Sequence, residues 1–142
     1  MLVARSDGSV SLYLTDKGTP IRRWEGFSEG RPIVKVLWST SRPAVFLCLD
    51  SASKLYFFNM LMQDNNNAPW HIESLNDPDA RITDICYPKP TVDGRGVVKS
   101  TLAVAFRSGH VQLHTLSSKF ADAVKDERGQ VRDIVKTWVD AS

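Results

Sequence analysis

The residues able to do chemistry are few and poorly grouped. Of three histidines, His110 and His114 stand four positions apart. On a strand that spacing puts both imidazoles on one face, the beginning of a metal site. A zinc ion needs three or four ligands, and no further ligand stands nearby in sequence; His71 lies far off in the chain. Serine, histidine and aspartate can be assembled on paper, but no nucleophile elbow, the strained turn from a strand into a helix, is read here. Gly94-Arg95-Gly96 is too short to cradle a phosphate and opens no helix. Cys48 and Cys86 each fall inside an apolar run, with no second cysteine at ligand spacing. They read as buried packing thiols in a reducing compartment. The expectation is a chain that is not an enzyme, with no catalytic residue, no metal and no cofactor.

Binding chemistry is left. Arg22-Arg23-Trp24 and Trp70-His71 set basic or imidazole groups beside indoles, a combination that stacks on nucleic-acid bases. A formal net charge of +2, from 18 basic and 16 acidic residues, supplies no stripe for tracking a phosphate backbone. Arg22 and Arg23 are instead expected on an outer sheet edge, stems packed and charges solvated. Trp24, Trp38 and Trp70 are expected to pack between sheets. No apolar run approaches the roughly 18 residues that suggest a membrane span, and no secretory leader is visible. A hydrophobic fraction of 42% with 24% charged residues is enough for a folded core. Protein partners inside the cell are expected, with neither nucleic acid nor membrane.

The elements that would hold such a surface repeat. Met1 to Tyr13 (MLVARSDGSVSLY), Val45 to Phe58 (VFLCLDSASKLYFF) and Thr101 to His114 (TLAVAFRSGHVQLH) each read as strand, polar turn, strand. Ser, Asp and Gly supply the tight hairpins. Another strand precedes the second and third hairpins, at Ile33 to Ser39 and Arg81 to Tyr87. A short one follows the first and second, at Pro20 to Trp24 and Trp70 to Leu75. The period, about 45 to 55 residues, is near that of a four-stranded propeller blade. Val34, Val36 and Trp38 are aligned with Ile82, Asp84 and Cys86, and Leu55 and Phe57 with Val111 and Leu113 on the inward side of their strand. Pro88 to Gly96 and Gln63 to Pro69 are expected to be loops. About eleven strands make just under three blades, whereas a closed ring takes about four to eight. The expected fold is all-β, a partial propeller whose remaining blades lie upstream or come from another chain. A small closed β-domain is the alternative.

Particular stretches carry a family resemblance. Ser6-Asp7-Gly8-Ser9-Val10 resembles the hairpin of WD repeats, and Val36-Leu37-Trp38-Ser39 resembles one of their strands. Ser41-Arg42-Pro43-Ala44-Val45-Phe46-Leu47, followed by Asp50 to Leu61, is similar to the dynein intermediate-chain group. Within that group it is most similar to the intermediate chains of the ciliary retrograde (intraflagellar-transport) dynein. The general resemblance runs from Leu2 to Leu116, the dynein-specific part from about Val34 to Leu61. It makes Asp7, Gly8, Trp38, Asp50 and Gly109 structural blade positions. It implies a scaffold subunit of a motor complex, bound to a dynein heavy-chain tail and other dynein subunits. The implied location is the cytoplasm, on the cytoskeleton of a cilium or flagellum, with light chains held by an N-terminal extension that this chain lacks. The closing Trp-Asp pair of such repeats is replaced by Leu14-Thr15, Phe58-Asn59 and His114-Thr115, and Gly109-His110 lies in a hairpin turn rather than before a first strand. Asp7 is placed to join a buried polar network. Competing classes are a WD-repeat adaptor in another assembly and the small β-domain of an enzyme.

After Leu116 the spacing becomes helical, with Ser117 or Ser118 as N-cap. The chain thus divides into 1–116, the blades, and 117–142, an amphipathic helix. Phe120, Val124, Val131, Ile134, Val135 and Trp138 fall on one side of that helix. Asp122, Asp126 and Glu127 precede Arg128, Arg132 and Lys136, an order suited to the helix dipole. Gly129 is the expected break, at about 1 kcal/mol relative to alanine. The apolar stripe either covers the propeller or offers Val131, Ile134 and Trp138, with Arg132, to a partner. The basic row reads as a solvated face.

Overall fold

The computed structural model describes residues 1–62, 68–74, 81–96, 98–116, 120 and 125–141. Among them, β-sheet dominates, with one long helix towards the C-terminus. The first sheet joins β1 (Leu2–Ala4), β2 (Val10–Leu12) and β3 (Arg22–Trp24). The second joins β4 (Ile33–Trp38), β5 (Val45–Asp50), β6 (Lys54–Asn59) and β7 (His71–Ser74) in that order. In the third, β8 (Ile82–Cys86) pairs with β11 (Thr101–Phe106), which pairs with β12 (Val111–Thr115). All these pairings are antiparallel. Among the described residues the sheets do not close into a barrel; they pack one on the next, as in a partial propeller. The expected loop at Pro88 to Gly96 is partly a strand, because β9 (Thr91–Val92) pairs with β10 (Val98–Lys99) in a small hairpin of its own. The Gln63 to Pro69 loop lies mostly outside the described residues.

The three central hairpins share one turn. The N–H of Gly8 donates to Arg5 O at 3.2 Å, that of Ser53 to Asp50 O at 3.2 Å, and that of Gly109 to Phe106 O at 2.9 Å. The fourth residue of each turn is left-handed, with φ of 87°, 65° and 88° at Gly8, Ser53 and Gly109. Such three-residue loops want glycine at that position. Gly8 is further constrained, since a Cβ there would collide with Ser28 Oγ and stand 2.8 Å from Arg31 O.

These turns set the register of everything else. The first two sheets each send an equivalent pair onto the next sheet: Val10 and Leu12 join the core between the first and second sheets, Leu55 and Phe57 that between the second and third. On the second sheet the opposite face, Phe46, Cys48, Tyr56 and Phe58, packs back on the first. Phe46 stacks on Phe58 with centroids 4.9 Å apart, and the Trp24 ring meets Phe46 edge-on at 4.9 Å. Each buried side chain of this size contributes about 1.5–3 kcal/mol by leaving water. Trp24 is thus buried between sheets as expected, whereas Trp38, at a strand end, is 40% exposed.

The strand alignment read from the sequence slips by one residue. Both β4 and β8 carry a register irregularity, Ile33 facing Asp50 before Lys35 faces Leu49, and Ile82 facing Phe106 before Asp84 faces Ala105. A bulge adds one residue to a strand, and a one-residue slip exchanges the two faces. The irregularity falls at the same place in both strands, and pairing to equivalent positions matches Leu37 with Cys86 and Val36 with Ile85. Ile82, Ile85 and Tyr87 turn into the core, and Cys86, expected to be buried, is exposed.

The helix, α1, spans Glu127–Ala141. Its break lies at Asp126, left-handed at φ 56°, rather than at Gly129. The Asp126 carbonyl accepts the first helical bond, from Gln130 N–H at 3.0 Å. Gly129 sits in the first turn where its missing Cβ leaves room for the Asp126 carboxylate, whose oxygens would be 2.6 Å away. With this start, Arg128 falls in the first turn and the last turn has no basic residue, so the charge order does not follow the dipole as expected. Ser117, Ser118, Asp122 and Val124 lie outside the described residues.

Candidate partner-binding site

The far face of the third sheet is built from two rows of paired residues. Cys86 faces Ala103, which faces Leu113; Asp84 faces Ala105, which faces Val111. On the second sheet the equivalent rows are Leu37, Leu47, Phe57 and Lys35, Leu49, Leu55, and the third sheet buries most of them. On the third sheet nothing among the described residues lies beyond, so Val111 is 60% and Leu113 71% exposed. The sequence placed them on the inward side of the strand; their register is inward, but no following sheet covers them. Isolated exposed apolar residues mean little, whereas a contiguous apolar sheet face marks an interaction surface.

The second and third sheets splay at their outer edge around a cleft of about 270 Å³. Leu55, Phe57, Leu102 and Val104 form its floor, with His71, Glu73 and His114 among its lining. His71 Nε2 lies 2.9 Å from Glu73 Oε2, and His114 Nε2 lies 3.0 Å from Gln112 Oε1. His110 is exposed in the turn before β12, its ring beside Phe106. Among the described residues no three His, Cys, Asp or Glu side chains converge as a metal site would need. Phe120 packs into this region, 4.8 Å from Phe57 and 5.3 Å from Trp70.

The helix is fastened at one end by a buried ion pair. Arg42 Nε and Nη2 donate to Glu127 Oε1 at 3.0 and 2.8 Å, and the Ala44 N–H donates to Glu127 Oε2 at 3.0 Å. The Arg42 guanidinium also lies over the Trp70 ring at 5.3 Å. Further along, Ile134 is buried and Val131, Val135, Trp138 and Val139 pack on the core between the first two sheets. Trp138 meets Trp24 edge-on at 6.0 Å, and Arg22 lies over the Trp138 ring at 5.0 Å. Arg22 is thus half-buried under the helix rather than on a solvated edge, while Arg23 is exposed and paired with Asp7 and Glu25. Of the residues singled out for a partner, Val131, Ile134 and Trp138 face the sheets and Arg132 faces solvent.

The buried polar network forms at Asp50, not Asp7. Asp50 Oδ1 accepts from the N–H groups of Ala52 and Lys54, both at 2.9 Å. Its Oδ2 accepts from Tyr56 OH at 2.7 Å and Arg31 Nε at 3.0 Å. Burial pushes the Asp50 carboxyl up, but these four bonds outweigh it and hold the group below the usual carboxylate range. Tyr56 is pushed up by burial and by the Asp50 carboxylate. Asp7 is half-exposed, bonded to Ser9 Oγ at 2.6 Å and Ser9 N at 2.9 Å, and those two bonds hold its carboxyl below the usual range. Trp38 lies at the end of β4, and Gly8 and Gly109 lie in hairpin turns.

A further pattern lies between β3 and β4. Gly26-Phe27-Ser28-Glu29-Gly30 spells the pattern of a hydrolase elbow. It joins strand β3 to strand β4, not a strand to a helix. Ser28 is buried, its hydroxyl 2.8 Å from Arg31 O and 3.3 Å from Gly8 O. No imidazole is among its hydrogen-bond partners, so the serine closes a turn.

Among the described residues the chain is thus three stacked sheets with a helix strapped across the first two. The chain is similar to part of a dynein intermediate chain. It is 30% identical over 131 residues to cytoplasmic dynein 2 intermediate chain 1 of Mus musculus and 27% identical over 131 residues to that of Homo sapiens. Each match takes in 92% of this chain, which spans 13% of the length of the mouse protein and 12% of the human one. No family model matches the chain. Among the described residues no helix is long and apolar enough to cross a membrane.

Proposed function

We propose that the chain is a blade-forming part of a non-catalytic scaffold subunit of a dynein motor, of the dynein 2 intermediate-chain kind. In this reading residues 1–116 are WD-type propeller blades and 117–142 a C-terminal cover. Further blades complete the ring, and the assembled propeller grips the tail of a dynein heavy chain in the cytoplasm, on the cytoskeleton of a cilium, in intraflagellar transport. The similarity to dynein 2 intermediate chains over 92% of the chain supports the kind of subunit. The observation that carries the scaffold reading is the uncovered face of Val111 and Leu113 in register with the covered pair Leu55 and Phe57.

Co-expression with a dynein 2 heavy-chain tail, followed by affinity capture of the chain, tests the motor assignment. The tail is expected to be retained through washing; a tail that elutes alone overturns the assignment. Cys86 reports separately on the blades. Its exposed thiol lies on the uncovered face, whereas Cys48 is buried and burial pushes its thiol far up. A thiol reagent is expected to label Cys86 in the isolated chain and to miss it once another blade is docked. Undiminished labelling in the larger assembly would contradict the docking.

A further inference from the structure

The outward side of α1 carries Arg128, Arg132 and Lys136, all exposed and each four residues from the next. None of the three makes an ion pair among the described residues, although Asp133 and Asp140 stand on the same helix. For the helix alone this arrangement is unfavourable twice over. Like charges at i, i+4 repel, and Arg128 sits in the first turn, where the dipole disfavours a cation. The apolar side of the same helix is spent on the sheets and Glu127 on Arg42, so the row is fixed in place and presented outward. Three cations rising about 6 Å per step along one line match carboxylates repeated at every fourth position of another helix.

We propose that this row is a docking surface for an acidic helical segment of a protein partner. Its acidic side chains, spaced i, i+4, i+8, face Arg128, Arg132 and Lys136 in turn. A nucleic acid would also meet positive charge, but a net charge of +2 and a row only three residues long leave little for a phosphate backbone to follow. The inference does not rest on the dynein reading: heavy-chain capture and acidic-peptide binding can each succeed without the other.

The test is fluorescence anisotropy of the chain with a labelled helical peptide carrying Glu at every fourth position. The row variant, Arg128→Gln with Arg132→Gln and Lys136→Gln, is compared with a control in which the exposed Lys17, Lys89 and Arg95 become Gln. The row variant is expected to bind about tenfold more weakly, with a melting temperature unchanged or raised because its repulsion is gone. The control is expected to bind as the parent does, and a peptide with the same Glu residues at scrambled spacing to bind more weakly. Equal losses in row variant and control, or no binding by the parent, overturn the proposal. So does a single-stranded oligonucleotide that binds more tightly than the peptide and depends on the row.

Discussion

Arg42 and Glu127, 85 residues apart in sequence, close a buried two-bond ion pair that ties the helix to the loop between β4 and β5. Their side chains are only 5% and 2% exposed. A charge so placed has no water to fall back on when its partner is removed. Arg42→Ala or Glu127→Ala is expected to cost about 3–5 kcal/mol in urea unfolding. Replacing both, as Arg42→Met with Glu127→Leu, is expected to cost less than either single change, because no charge is left buried. Additive losses would show the pair uncoupled.

Asp50 makes stability fall in acid. Its carboxyl lies below the ordinary value because Lys54 and Ala52 N–H, Tyr56 OH and Arg31 hold it ionised against burial. A depressed carboxylate contributes fully above its unfolded value of about 3.9 and loses that contribution as pH drops through the folded one. Asp50→Asn is therefore expected to flatten the acid limb of a stability-against-pH curve while lowering the plateau by about 2 kcal/mol. Tyr56→Phe is expected to cost about 1 kcal/mol. An acid limb unchanged in Asp50→Asn would assign the pH dependence elsewhere.

Two glycines with nearly the same φ separate two physical costs. Gly8 and Gly109 are both left-handed, but a Cβ at Gly8 meets Ser28 and Arg31 whereas one at Gly109 meets open space. Gly109→Ala is expected to cost about 1 kcal/mol, the backbone term alone. Gly8→Ala is expected to cost at least about 1 kcal/mol more, from overpacking. Thermal melts of the two variants check this; equal losses would mean that Ser28 yields freely.

The hairpins were legible because their turns need residues that accept φ above zero, and SDG, SAS and SGH announce them. The cores are legible in the continuous apolar runs VFLCLD and KLYFF, the mark of short strands buried on both faces. What alternation cannot carry is an inserted residue. The irregularity in β8 puts Ile82 and Ile85 on the core side, where strict alternation would put Ile82, Asp84 and Cys86. The helix start is not legible because Asp126 adopts a left-handed conformation that non-glycine residues seldom take. Glu127, the most buried acid of the helix, gave no signal, since its partner Arg42 is remote in sequence. Asp50 is an expected blade position, but its network needs Arg31, from the loop before β4, and Tyr56, on β6.

The helix offers a contrast between covering and contacting. Trp138 packs on Trp24 and under Arg22, while Arg132 faces solvent. Trp138→Ala is expected to lower stability by about 2–3 kcal/mol, towards the low end for a large aromatic because the site is only half-buried. Arg132→Glu is expected to leave stability within about 0.5 kcal/mol and to act on partner binding. Chemical denaturation of both variants reads the difference; a strongly destabilised Arg132→Glu would refute its solvent-facing role.

The central claim is that the third sheet ends in a face made to be covered. Light scattering across a concentration series, on the parent chain and on Val111→Glu with Leu113→Glu, addresses it most directly. The parent is expected to self-associate as concentration rises, and the double variant to remain a monomer with the same far-ultraviolet circular dichroism. A parent that stays a compact monomer at every concentration, indistinguishable from the variant, would contradict the claim.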